Sequence, residues 1–341
     1  MSDLTVYRWL LRLCDPEGYT DLPAARLPAT AVGKLIAISR QHGVTGIVLR
    51  NLKQILDIEG PATLLTNPHD GAATALAIKL AEEDCLPEIA QTLLLRARTG
   101  SLLAAIHRAG VDAAIVKGED FADRLYELPG LRPFRDIDLL LRREQIDSLD
   151  ELMQKLGFRF LRPEGKYNDE YGERTWDSVG VPRVRVEFHW NMITCPSQRR
   201  SSSLAWSDLD WIAEGTRLMP SPESMLLIAC AHAVISHRFD RLQHLCDIRQ
   251  ICRARAGELA CDKLREMVLR CGLSAAVTGA LEVTSRLLRD SSSGDLLNQL
   301  HLPASAAPWR LLVSGTTLLG PSTRVNQLRR TVIREWMKRS A

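Results

Sequence analysis

Residues 111–141 read VDAAIVKGEDFADRLYELPGLRPFRDIDLLL, and the fold depends on how they divide. VDAAIVKG is a short apolar run ending at Gly118, which predicts a strand and a turn. EDFADRLYEL follows as a short helix, closed by Pro129 and Gly130. LRPFRDIDLLL alternates at period two over its last residues and predicts a second strand. On that strand Asp136 and Asp138 project to one face, while Ile137, Leu139 and Leu141 take the other.

Working outward, REQIDSLDELMQKLG predicts a helix with Gly157 just past its end. GFRFL, YGERTWDSV and PRVRVEFHW complete the strands, and CPSQRRSSS, residues 195–203, reads as a loop. In PRVRVEFHW, Val184, Val186 and Phe188 face the core; Arg185, Glu187 and His189 face away from it. Residues 1–110 read as helices, with Pro87 at a helix start. After residue 204 the chain again reads as helical, with Ser221 and Pro222 opening one helix. The expected fold class is α+β: a small mixed sheet at 111–195 between an N-terminal helical region, 1–110, and a C-terminal helical domain, 204–341.

The 341 residues are 45% hydrophobic and 25% charged, enough for a sizeable core and against a disordered chain. Forty-four Lys and Arg against 41 Asp and Glu leave +3, too mild to argue for or against nucleic acid. Aromatics at 5% weaken a single-strand stacking platform. No stretch reaches the roughly 20 apolar residues of a membrane span. Asp3 before a short apolar run is unlike a secretory leader. The eight cysteines form no C-x-x-C pair and read as reduced, mostly buried thiols, so the expected address is the cytoplasm.

Several chemistries are absent by motif. Gly33-Lys34 and Gly165-Lys166 lack the flanks of a phosphate-binding P-loop, and no G-x-G-x-x-G, G-x-S-x-G or H-E-x-x-H occurs. His232 and His237 share one expected helix but stand five apart, about 140° around an α-helix, which makes no metal pair. What remains is carboxylate chemistry. Like charges side by side need compensating cations, and two divalent metals held by Asp136 and Asp138 would supply them. Glu187 offers a third carboxylate. A second D-x-D, Asp208 and Asp210, falls at an expected helix start, where capping and solvated charge explain it.

The block from Lys117-Gly118 through RPFRDIDLLL, then VEFHW, then PESMLLIACAHAVISHRFDRLQHLCDI, resembles the uncharacterised nucleotidyltransferase-like family of the DNA polymerase β superfamily. The resemblance covers roughly residues 90–255, and its central block is the specific part. It implies a nucleotidyltransferase core, with Asp136 and Asp138 as metal ligands, Glu187 as the third carboxylate and Gly118 as the turn glycine approaching a triphosphate. The wider superfamily usually has Gly-Ser or Gly-Gly at that turn; here Lys117-Gly118 precedes Glu119 and the gap to the first Asp is longer. Lys117 either holds a phosphate or pairs with a carboxylate. Arg132 and Arg135 either bind phosphate or neutralise the acidic cluster. His189 lies on the face of Glu187, as a substrate contact or as a structural histidine. His232, with His237 and Asp247, is either buried structure or part of a lid over the nucleotide. Tyr126 reads as core.

The implied reaction moves a nucleoside monophosphate from an NTP to an acceptor hydroxyl or phosphate, with two Mg²⁺ ions, or Mn²⁺ in their place, and releases pyrophosphate. The acceptor is open: small molecule, protein or RNA. Two alternatives stand beside it, a toxin-like transferase acting on tRNA and a non-catalytic scaffold with a degenerate core. In the last segment Val325, Leu328, Val332 and Trp336 form one apolar face among Arg324, Arg329, Arg330, Arg334, Lys338 and Arg339. Such a helix can meet RNA or an anionic membrane surface, but it reads here as docked through that face on its own domain.

Overall fold

The computed structural model describes residues 3–161, 171–215, 217–303, 309–320 and 323–337. Gly165, Lys166, Lys338 and Arg339 lie outside them. Seven strands form one mixed sheet: β1 (Ala113–Ile115), β2 (Ile137–Leu141), β3 (Phe158–Phe160), β4 (Glu173–Ser178), β5 (Arg185–His189), β6 (Trp211–Glu214) and β7 (Arg217–Pro220). Their order is β3-β4-β5-β2-β1-β7-β6. β2 runs antiparallel to β1 and parallel to β5. With helices before and after the sheet, the chain is α+β.

The alternation in β2 and β5 has the expected consequence. Ile137, Leu139, Leu141, Val186 and Phe188 form one buried cluster with Leu95, Leu102 and Ile106. Those last three come from a 38-residue helix, Gly71–Arg108, lying under the sheet. Pro87 sits inside this helix, not at its start. A proline deletes one helical hydrogen bond, but here the helix packs on its neighbours on both sides of it. Helix Thr45–Gln54 contacts it upstream, and β1 downstream. The helical N-terminal region also meets the core closely. A Cβ on Gly46 would run into the carbonyl oxygen of Gly130, so only glycine fits there.

The chain does not turn helical at residue 204. Asp208 accepts from Ala205 N and Ser203 Oγ and closes a short 3₁₀ turn, Trp206–Asp208. Beyond it, WIAE and RLMP form the β6–β7 hairpin, which adds to β1 at the sheet's edge. Asp210 pairs with Lys263, so the second D-x-D is structural. The last helix, Arg324–Met337, docks through Asn326, Arg329, Ile333 and Met337, not through the expected face. Val325, Leu328 and Val332 are 69, 65 and 41% exposed. Arg329 buries its stem and reaches the carbonyl of Phe239 at 3.5 Å, and Trp336 stacks edge-on against Trp309.

One buried ion pair fastens the helical C-terminal region to the sheet. Arg132 donates through Nε and Nη2 to Asp247 at 3.1 and 2.9 Å, and through Nη1 to the Gly118 carbonyl at 3.0 Å. Tyr126 donates its hydroxyl to the same Asp247 at 2.8 Å. Removing one partner strands the other charge, so Asp247→Ala is expected to cost about 3–5 kcal/mol in urea unfolding. The double change Arg132→Met/Asp247→Leu should recover most of that. A cost below about 1 kcal/mol for Asp247→Ala would remove the pair from this role.

Candidate active site

The parallel pairing of β2 with β5 sets Asp138 opposite Glu187 and Leu140 opposite His189. Asp136 stands one residue ahead of β2. The three carboxylates line a single cavity of about 650 Å³. Asp138, 5% exposed, is held from two sides. Lys117 Nζ lies 2.8 Å from its Oδ1, and His189 Nε2 lies 2.9 Å from the same oxygen. Burial opposes ionisation of Asp138, but Lys117 and His189 outweigh it and hold the carboxyl well below its ordinary range. Glu187 has no such partner; His189 Nε2 stands 3.6 Å from its Oε2. Burial and the neighbouring Asp138 push its pKa up to about 7. The same two causes raise Asp136, which forms no salt bridge among the described residues.

Three carboxylates therefore share one lysine and one histidine, and the cluster is short of positive charge. Its donors are hard oxygens of the kind that hold magnesium-like cations. Oxygens of Asp138 and Glu187 and a ring nitrogen of His189 lie within 4.8 Å of one another, a donor set that fits a divalent cation, and Asp136 lines the same cavity.

Lys117 reaches Asp138 from a left-handed backbone, φ 57° and ψ −132°. That conformation costs a non-glycine residue of order 1–3 kcal/mol and persists where the surroundings impose it. Gly118 then starts helix Gly118–Leu125, in ordinary helical conformation. The helix's first backbone N–H groups have no partner within it, and its positive end faces the cavity. The expected alternatives divide as follows. Lys117 pairs with a carboxylate. Arg132 is committed to Asp247 and Gly118. Arg135 is exposed at the rim beside Glu88. His189 is buried against Asp138, with Glu173 Oε2 3.6 Å from its Nδ1. Further arginines line the cavity, among them Arg40, Arg183, Arg185 and Arg241.

The opposite wall holds what the sequence argument set aside. Residues 232–236 form one π-helical turn, closed by the hydrogen bond from His237 N to His232 O at 3.0 Å. Widening the turn to i→i+5 returns residues five apart to the same side of the axis. His232 and His237 consequently meet, with ring centroids 4.4 Å apart. His244, from helix Leu242–Ala254, joins at 4.7 and 4.5 Å. All three line the cavity. Burial first, and neighbouring positive groups second, lower the His232 and His244 pKa values well below the usual imidazole value, so both rings are neutral. The 140° separation holds only for an α-helix, and no pattern in HAVISH announces the wider turn.

One protein-family model, described as an uncharacterised nucleotidyltransferase, matches residues 28–289, more than three-quarters of the chain. The match takes in every cavity-lining residue named above, and reaches further on both sides than the 90–255 read from the motifs. No curated protein matches the chain.

The raised Glu187 pKa has a measurable sign. The folded metal-free protein holds this proton more tightly than the unfolded chain does, so stability falls as pH rises from about 4.5 towards about 7. The difference is on the order of 2–3 kcal/mol. Glu187→Gln should flatten this window in urea titrations run with a chelator. An identical pH slope in the two proteins would show that Glu187 titrates normally.

Proposed function

Because the chain belongs to the uncharacterised nucleotidyltransferase family, we propose that it transfers a nucleoside monophosphate from an NTP to an acceptor hydroxyl or phosphate, as a member of the polymerase β superfamily. The observation that carries this reading is the Asp138–Glu187 register beside Asp136, under the N-terminus of helix Gly118–Leu125. Three carboxylates crowded against a free helix N-terminus and an arginine rim suit a triphosphate bound with its cations.

Asp136, Asp138 and Glu187 would hold two Mg²⁺ ions, or Mn²⁺ in their place. Bound there, the ions would neutralise charge on the phosphates and make the acceptor hydroxyl easier to deprotonate. The backbone N–H groups at Gly118 bind triphosphate oxygens, and Lys117 and Arg135 add charge at the cavity wall and rim. The acceptor oxygen forms a bond to the α-phosphorus while the α–β bridging P–O bond breaks, and pyrophosphate leaves with that electron pair. Glu187, beside the acceptor oxygen, would help to take its proton.

Glu187 beside Asp138 supports catalysis over a worn scaffold, in which the third carboxylate has no reason to keep that register. A toxin-like transfer to tRNA would use the same donor site and differ only in acceptor. Eight cysteines, none in a disulfide among the described residues, suit a reducing compartment, and we propose the cytoplasm as the protein's address. Among the described residues no helix is long and apolar enough to cross a membrane.

Calorimetric titration with each of the four NTPs, with and without Mg²⁺, tests the reading. Metal-dependent binding of at least one NTP is expected, weakened about 100-fold or more in Asp136→Asn/Asp138→Asn, the loss of charge-assisted contacts at two positions. Binding by none of the four to folded wild type would reject the donor site. Gly118→Ala provides a second check. It should fold normally, because its Cβ meets only ordinary contacts, yet weaken NTP binding about tenfold by filling the space beside Asp138 Oδ2. Unchanged affinity in Gly118→Ala would place the triphosphate elsewhere.

A further inference from the structure

We propose that His232, His237 and His244 form a second metal site, a three-histidine centre for a divalent transition ion such as Zn²⁺, with an open coordination position facing the cavity. One ring nitrogen from each histidine lies within 4.8 Å of the other two. They come from a π-helical turn and from the following helix, so the site exists only in the folded chain.

Three observations make this a built site. The first is the donor set: three imidazoles suit zinc and its neighbours, whereas magnesium prefers oxygen. Three protein ligands with a fourth position open is the pattern of zinc sites that engage a substrate. Second, a carboxylate stands behind the rings. Asp240 Oδ2 lies 3.3 Å from His237 Nδ1, which leaves His237 Nε2 free as its metal-facing atom. His244 Nδ1 approaches Asp240 Oδ1 at 3.9 Å. Carboxylates in this place orient metal-binding histidines and raise their basicity. Third, a polar atom is left open: His244 Nδ1 is buried without a hydrogen-bond partner.

The backbone holds the arrangement at a cost. A π-turn interrupts the helix at His232, and Arg238 and Phe239 are consecutive left-handed residues, φ 53° and 56°, placing Asp240 against His237. Neither residue is glycine, so each holds a backbone conformation that L-residues avoid. An ordinary α-helix through this segment would relieve the π-turn and would separate His232 from His237 by about 140°.

This site takes no ligand from Asp136, Asp138 or Glu187, and its test does not depend on nucleotide binding. Full-length protein stripped with a chelator should bind one equivalent of Co²⁺ with the strong visible absorption of four- or five-coordinate cobalt, and Zn²⁺ should displace it. Asp138→Asn should retain that spectrum. His244→Ala should weaken Zn²⁺ at least 100-fold, and Asp240→Asn about 10–100-fold. X-ray absorption of the wild-type zinc complex should show three imidazoles, a readout that needs no variant to fold. A folded wild type without the cobalt band would overturn the proposal. So would a band that survives His244→Ala, disappears in Asp138→Asn, or comes from an oxygen-only shell.

Discussion

The contact between Lys117 and Asp138 sets the terms for everything around it. A carboxylate as deeply buried as Asp138 survives ionised only with a cation in direct contact. The lysine that supplies it follows β1 in a conformation L-residues avoid. That bend aims Lys117 at β2 and starts helix Gly118–Leu125 at the cavity edge. His189, from β5, contacts the same Asp138 oxygen and links the two strands. Slipping β5 by one residue would send Glu187 and His189 into the apolar layer and bring Val186 and Phe188 into the cavity. The carboxylate cluster and the core on the sheet's other face are thus two consequences of one register.

A second buried pair extends that order into the helical region. Arg132 spans from the Gly118 carbonyl to Asp247, so the turn that opens helix Gly118–Leu125 and the helix bearing His244 share one guanidinium. Asp247 lies three residues past His244, less than one helical turn. The two walls of the cavity are therefore held by the same side chain. This explains why an arginine that reads from sequence as a substrate contact is spent on structure. Its planar fork can join a carboxylate and a carbonyl at once, as a lysine could not.

How far the sequence was legible follows the range of the forces involved. Period-two alternation in RDIDLLL and VRVEFHW places Asp136, Asp138 and Glu187 on the right face of the right strands, because burial acts strongly on every second residue. The β6–β7 hairpin was missed because WIAE and RLMP are short, half-exposed and without alternation; pairing to β1 makes them strands. Pro87 signals a helix start only until packing on either side of it carries the helix through. The terminal helix docks through a face that reads as polar, because the buried Arg329 and Asn326 count as hydrophilic by residue type and not by atom. His232 and His237 were set apart by an α-helical angle that the structure does not use. Each miss arises where tertiary contact overrides a local rule.

If both proposed sites hold metal, the two walls would also sort ions. Zinc binds carboxylate oxygens more tightly than magnesium does, so a bare carboxylate cluster in a mixed-metal solution risks capture by the stronger ion. Three imidazoles backed by Asp240 would offer zinc the nitrogen donors that it prefers, across the same cavity. Magnesium gains little there, since it needs oxygen and gives up its water reluctantly. Lys117 adds a second filter on the carboxylate wall. An ion entering beside Asp138 must compete with an ammonium already 2.8 Å away, and a triphosphate brings the negative charge that can draw that ammonium off. On the proposed function, a cation arriving with a nucleotide would therefore be favoured over the same cation arriving alone, and the selectivity would rest on the movement of one lysine side chain away from Asp138.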